Sequence, residues 1–156
     1  MERNFTGEIV AQRICSRMVW IQDMAKDTVG GALQLQLLRW EEDAGEFVFR
    51  SATAEWMRNV IGTLHGGSCA VMMDQAMGCV ANCLFEDEPH APTSQLQLNF
   101  HRPMLAGDYF LVHVRVVSVS RSLIHLSAEL YAEQAPDKLC ASGSSIFFRG
   151  KNHAER

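Results

Sequence analysis

The segment from residue 66 to residue 85 constrains this chain most, because it is largely apolar and carries a single formal charge, Asp74. Such a segment predicts a helix that the rest of the protein wraps. On helical spacing Asp74 shares a face with Ala70, Met77 and Gly78, so we expect its carboxylate to project into a packed region rather than into bulk water. Because burial of an unpaired carboxylate is expensive, Asp74 requires a partner or a chemical task.

Composition limits the classes of protein that this chain can represent. With 156 residues, 47% hydrophobic and 21% charged, we expect one domain over residues 1–156. The net charge of −4, without a dense Lys/Arg run, predicts neither nucleic acid nor a membrane surface as partner. Charges scattered through the N-terminal segment are not typical of a secretory signal, which predicts a cytoplasmic protein. Five cysteines without a CxxC pair predict reduced core thiols and no metal site.

The pattern of apolar residues outside the central helix predicts an α+β domain with about six strands. Val10, Ile14 and Met18 recur at four-residue steps and predict an N-terminal covering helix over residues 8–26. Alternating leucines from Leu33 to Leu37, a turn at 43–45 and the run 47–49 predict a β-hairpin.

Four further strands are expected after the central helix. The predicted runs are 95–103, 109–119, 123–131 and 139–149; the last three form an antiparallel meander, with turns at 120–122 and at Pro136-Asp137. The tail 150–156 has no apolar anchor and is expected to be loose.

Two consecutive glycines begin the central helix and suggest a site for a developing oxyanion. The N–H groups of Gly66 and Gly67 are unobstructed by side chains and carry the positive end of the helix dipole. Asp74 lies eight residues further on, which is about 12 Å along a helix. One helix therefore cannot bring both groups to one reacting carbon. Two antiparallel copies in a two-fold dimer can, which predicts two equivalent sites shared between subunits.

The motif Asn59-x5-His65-Gly66-Gly67-x6-Asp74, followed by the strand from Gln95, resembles the hotdog-fold acyl-CoA thioesterases of the phenylacetate-pathway type. The resemblance implies a curved antiparallel sheet around a central helix, with homodimers that pair into tetramers. It also implies an active site at the dimer interface. The substrate would be an acyl-CoA, so that CoA belongs to the substrate and no separate cofactor is needed.

The resemblance also implies roles for individual residues. The Gly66 N–H would polarise the thioester carbonyl, and Asp74 of the partner subunit would act as general base or as nucleophile. Asn59 would position water or the thioester, His65 would brace the loop, and a hydroxyl at Thr93 or Ser94, with Thr93 preferred, would help hold the water. The candidates for contacts with the acyl group or CoA are Gly67, Met77, Arg102, Arg121 and Arg149.

Two other functions fit the same pattern. A non-catalytic module that binds acyl-CoA or an acyl carrier would use the same scaffold, because a fold does not fix a function. A hydratase or dehydratase would need a histidine and an acid placed at the acyl α or β carbon, and His65 is the only candidate in the motif. The acid nine residues after His65 favours the thioesterase. The identity of the acyl group stays open.

Overall fold

The computed structural model describes residues 6–85 and 90–149 of the chain. Its elements are α1 (Gly7–Met24), α2 (Val29–Ala32), β1 (Gln36–Glu41), β2 (Glu46–Ala52), a short 3-10 helix (Glu55–Met57), α3 (Gly66–Cys83), β3 (Thr93–Phe100), β4 (Tyr109–Val119), β5 (Leu123–Ala132) and β6 (Ala135–Phe148). The predicted tail 150–156 lies outside the described residues.

The six strands form one antiparallel sheet in the order β1-β2-β4-β5-β6-β3. The predicted hairpin (β1–β2) and meander (β4–β5–β6) are both present, but β1 begins only at Gln36, so the buried Leu33 and Leu35 precede the strand that they were expected to begin. Strand β3, which follows α3 directly in the chain, crosses to the far edge and pairs only with β6. This confirms the predicted α+β arrangement of a central helix, an antiparallel sheet and an N-terminal helix.

Helix α3 packs its apolar side against the inner face of the sheet. The fully buried methionines Met72, Met73 and Met77 meet Phe47 and Phe110 from the strands. Each buried side chain of this size contributes about 1.5–3 kcal/mol relative to an exposed one. Although α3 is apolar, no helix among residues 6–85 and 90–149 is long and apolar enough to cross a membrane.

Helix α1 covers α3 and β1, as the four-residue spacing of its apolar residues predicts. The Thr6 hydroxyl caps its first turn, and Val10, Ile14 and Met18 are buried on its inner side. The helix ends at Met24, earlier than predicted, and the chain turns there into the short α2.

The predicted turn at Pro136-Asp137 is wrong, because both residues belong to β6 and the turn lies at residues 133–134. This part of β6 extends beyond the end of β3 and pairs only with β5, across a register shift. A proline is tolerated at such an edge or bulge because no neighbouring strand needs its missing N–H.

Candidate functional site

The N-terminus of α3 presents one N–H group without an acceptor. His65 caps the helix: its Nδ1 accepts the Gly67 N–H at 2.9 Å, and its carbonyl accepts the N–H groups of Ser68 and Cys69 at 2.9 and 3.2 Å. Among the described residues no acceptor lies within hydrogen-bond distance of the remaining first-turn donor, the Gly66 N–H. This donor stands at the positive end of the helix dipole, where an anionic oxygen is stabilised.

A cleft of about 360 Å³ opens beside Gly66. Its lining residues are Thr63, Leu64, Gly66, Phe100, His101, Arg102, Pro103 and Met104. The Phe100 ring packs on the glycine, since a Cβ at position 66 would lie 3.3 Å from Cζ of Phe100. The cleft is thus lined by Gly66, an aromatic ring and Arg102, whose Nη1 donates to the carbonyl of Leu139 at 2.5 Å.

Asp74 lies on the partly exposed side of α3 and accepts a hydrogen bond from Thr93. The Thr93 hydroxyl donates to Oδ1 of Asp74 at 2.9 Å. Of the helix neighbours, Met77 is buried in the core, whereas Ala70 and Gly78 are only half-buried. The expectation of a packed environment for Asp74 is therefore wrong for the single chain, because Asp74 stands at the border between the core side and an open side.

A β-bulge turns Thr93 toward Asp74. The register between β3 and β6 shifts between Thr93 and Gln95, so that Thr93 pairs with the buried Phe147. If all three residues 93–95 followed regular strand alternation, Thr93 would lie on the outer face together with Gln95. The bulge therefore selects Thr93, and not Ser94, as the hydroxyl beside the carboxylate.

Asn59 holds the loop that precedes α3. Its Oδ1 accepts the N–H groups of Ile61 and Thr63 at 3.1 and 3.0 Å, and its Nδ2 donates to Oγ1 of Thr63 at 2.8 Å. One N–H of the Asn59 amide remains for a ligand. The Asn59 contacts within the chain thus lie in the loop, and its expected role in positioning water or the thioester stays a prediction.

The structure brings together only part of the predicted site. Gly66 and Asp74 stay eight residues apart on one straight helix, about 12 Å along its axis. His65 caps α3 through its Nδ1, and Arg102 is among the residues that line the cleft beside Gly66. The Gly67 N–H, in contrast, is already taken by His65.

The other predicted ligand contacts lie away from this cleft. Met77 is fully buried and closed to a ligand in the chain as it stands. Arg149 packs over the Phe85 ring and donates to the carbonyl of Ser120, next to Arg121. These two arginines therefore lie beyond the C-terminal end of α3, about 27 Å from its N-terminus.

Sequence reasoning missed Phe100 as a residue of the site. The alternation of Phe100 with Leu96 and Leu98 predicted that it lies on the inner face of the sheet, and it does. It is nevertheless 55% exposed, at the edge of the cleft. The only available signal was its position at the last apolar step of the strand, immediately before His101 and Arg102.

The buried cysteines do not provide a nucleophile. Burial raises the pKa of the Cys69 and Cys83 thiols to about 12 and that of Cys79 to about 11. These thiols are neutral near pH 7 and act as core residues. Within residues 6–85 and 90–149, no three His, Cys, Asp or Glu side chains lie close enough together to hold a metal ion.

A second polar cluster lies on the opposite face of the sheet. Glu46 is buried there and pairs with Nδ1 of His113 at 3.0 Å and with Arg115. Burial, and then the hydrogen bond to Glu129, raises the pKa of Tyr131 to about 12. Because the sheet separates this cluster from α3, it takes no part in the chemistry at Gly66.

Comparison with known proteins identifies a family. The profile of the thioesterase superfamily matches residues 61–138, which is half of the chain. A Pseudomonas aeruginosa protein with the provisional description of an esterase is 33% identical over 88 residues, which are 55% of this chain and 62% of that protein. The match therefore spans less than two thirds of that relative's length.

Solved structures share the fold. A phenylacetic acid degradation-related protein from Ralstonia eutropha superposes with a TM-score of 0.73 at 23% identity, covering 86% of this chain and 98% of that one. A Streptococcus mutans protein solved with acetyl CoA bound superposes with a TM-score of 0.64 at 20% identity, covering 74% of this chain and 88% of that one.

Proposed function

This chain belongs to the thioesterase superfamily, and on that premise we propose that it hydrolyses acyl-CoA thioesters to the free acid and CoA. The observation that carries the proposal is the Gly66 N–H, which has no acceptor among the described residues and opens on a cleft beside an aromatic ring and Arg102. The acetyl CoA in the S. mutans relative supports a CoA thioester as the ligand. Arg102 would meet a phosphate of CoA at the mouth of the cleft.

In the proposed reaction the thioester carbonyl oxygen accepts the Gly66 N–H. Negative charge develops on this oxygen as the carbonyl carbon is attacked, and the donor together with the helix dipole stabilises it. Asp74 of the partner subunit either removes a proton from the attacking water or attacks the carbon itself. The C–S bond then breaks, CoA leaves as the thiolate, and the thiolate takes up a proton.

Thr93 would hold the Asp74 carboxylate in position for either route. Its hydroxyl donates to Oδ1 of Asp74, which leaves Oδ2 directed to water or substrate. A hydrogen bond to an ionised group contributes about 1.5–3 kcal/mol. The geometry of the single chain is the same for the general-base and the nucleophilic mechanism.

The site would be shared across a homodimer. In one chain Gly66 and Asp74 are too far apart, whereas antiparallel contact of two α3 helices brings each Gly66 to Asp74 of the partner subunit. The open side of α3 favours such contact because Gly67, Ala70 and Gly78 are small and only partly covered. A pairing of two such dimers, which the sequence resemblance implies, would leave these sites unchanged.

A subunit-mixing experiment tests the shared site. Asp74→Asn removes the carboxylate and Gly66→Pro removes the N–H, so each homodimer should hydrolyse acyl-CoA at least 100-fold more slowly than the wild type. Random mixing gives half heterodimers, each with one intact site, so activity should return to about a quarter of the wild-type value. No return after verified mixing would contradict a shared site.

The same assay separates a thioesterase from a binding module. Hydrolysis of a panel of aryl- and fatty-acyl-CoAs is measured by the release of free thiol. A module that only binds acyl-CoA would release no thiol, and its affinity would be unchanged by Asp74→Asn. That result would refute the proposed hydrolase activity.

A further inference from the structure

The loop before α3 exposes two apolar side chains that the catalytic proposal does not use. Val60 is fully exposed and Ile61 is 80% exposed, and they are consecutive at the tip of the loop. Scattered surface apolar residues need no explanation, but two adjacent β-branched ones at the tip of a loop form a projecting apolar surface.

The loop is held rigidly in this form. Three hydrogen bonds from the Asn59 side chain join it to Ile61 and Thr63, and the Asn59 N–H donates to the Thr63 carbonyl at 2.8 Å. Gly62 completes the turn with a φ of +88°, which other residues rarely adopt. Because the backbone is fixed, the tip cannot fold back to cover its apolar side chains, and it is already ordered for binding.

A ligand bound in the cleft beside Gly66 would not cover the two apolar side chains of the tip. The lining of the cleft includes Thr63 and Leu64 but neither Val60 nor Ile61. A ligand that fills the cleft therefore does not bury the tip, and another surface is needed.

A second copy of the chain meets this requirement. If Gly66 lies opposite Asp74 of the partner subunit, the two-fold axis passes near Ala70, midway between them. The tip precedes Gly66 in the chain, so in such a pair it would lie at the same end as the C-terminal half of the partner subunit's α3. In each chain that half of α3 offers a partly exposed surface at Gly78 and Asn82.

We propose that Val60 and Ile61 form a docking tip that seats on α3 of a second copy of this chain and fixes the alignment of Gly66 with Asp74 of the partner subunit. This inference rests on the shared site proposed above. It makes the Asn59 turn part of the dimer interface as well as the support of the helix terminus.

Sedimentation measurements of the dimer dissociation constant test the docking tip. We expect Val60→Asp and Ile61→Asp each to raise this constant at least about 100-fold, because a carboxylate would enter an apolar contact. Val117→Asp is the matched control, since Val117 is 63% exposed near the C-terminal end of β4, and it should change the constant less than about threefold. If Val60→Asp or Ile61→Asp fails to fold, the double variant Val60→Ser/Ile61→Ser is measured in its place.

Activity at varied protein concentration provides the second measurement. The tip variants should lose activity on dilution and regain it at high concentration, because each re-formed dimer restores intact sites. The docking tip is overturned if the dissociation constant of the tip variants is unchanged or rises no more than that of Val117→Asp. It is also overturned if these variants lose activity only toward long acyl groups. Asp74→Asn separates the two proposals. If the tip variants weaken the dimer but Asp74→Asn turns over acyl-CoA like the wild type, the catalytic proposal is refuted and the docking tip is not.

Discussion

The role of the Gly66 N–H can be tested by removing this single hydrogen-bond donor while leaving the helix intact. Gly66 is the first residue of α3, and its N–H makes no bond within the helix. Proline is tolerated at this position, where its fixed φ suits a helix start. The preceding His65, with φ −67° and ψ +136°, already has the extended conformation that a residue before proline requires. Gly66→Pro is therefore expected to fold.

Gly66→Ala is the matched control. Both variants place a Cβ 3.3 Å from the Phe100 ring, but only the alanine keeps the N–H. Loss of one oxyanion donor costs about 2.7–4 kcal/mol of transition-state stabilisation. We therefore expect kcat of Gly66→Pro to be about 100- to 1,000-fold below that of Gly66→Ala.

The assay is thiol release from a saturating acyl-CoA, with KM measured for both variants. Thermal unfolding provides the folding control, and the two melting temperatures should agree within a few degrees. If kcat of the proline variant lies within about tenfold of the alanine variant, the Gly66 N–H is not the oxyanion donor.

Three further substitutions have distinct expected outcomes. Asn59→Ala removes the loop hydrogen bonds and should lower kcat/KM at least about tenfold. Asn59→Asp keeps the acceptor oxygen and should retain most of the wild-type kcat/KM. Equal losses in the two variants would indicate that the amide contacts the substrate. Thr93→Val should reduce kcat about tenfold and Thr93→Ser should not, since only the valine leaves Asp74 without its donor. Gly143→Ala should destabilise the fold by about 1–3 kcal/mol in urea unfolding, because its Cβ would lie 2.5 Å from the backbone carbonyl oxygen of Gln97; an unchanged midpoint would refute this packing argument.

The secondary structure was largely predictable because most elements have one buried and one exposed side. Strand β4 spans residues 109–119 as predicted, since its inner residues face α3 and its flanking turns contain glycine or serine. The start of α3 was predictable from His65 and the two glycines. The start of β6 was not, because a proline normally ends a strand and only the missing neighbour at the sheet edge makes Pro136 acceptable there.

The site was predictable to the level of residue types but not of contacts. The isolated charge of Asp74 and the paired glycines are visible in the sequence, and both lie where helical spacing puts them. The surroundings of Asp74 were predicted incorrectly, because periodicity cannot distinguish a face covered by the same chain from a face left open. The side-chain bonds of Asn59 depend on a turn whose shape is set by the glycine three residues later.

Because of the bulge in β3, both ends of this one strand present a side chain to the helix α3. Downstream of the bulge, Phe100 keeps its inward alternation and reaches Gly66; upstream, Thr93 is turned inward as well and reaches Asp74. If Ser94 instead paired with β6 in regular register, Thr93 would fall on the same face as Gln95, and its hydroxyl would turn away from Asp74. The chain would then keep its architecture but lose the hydrogen bond to the carboxylate, so the orientation of Asp74 depends on a single irregularity in the backbone of a neighbouring strand.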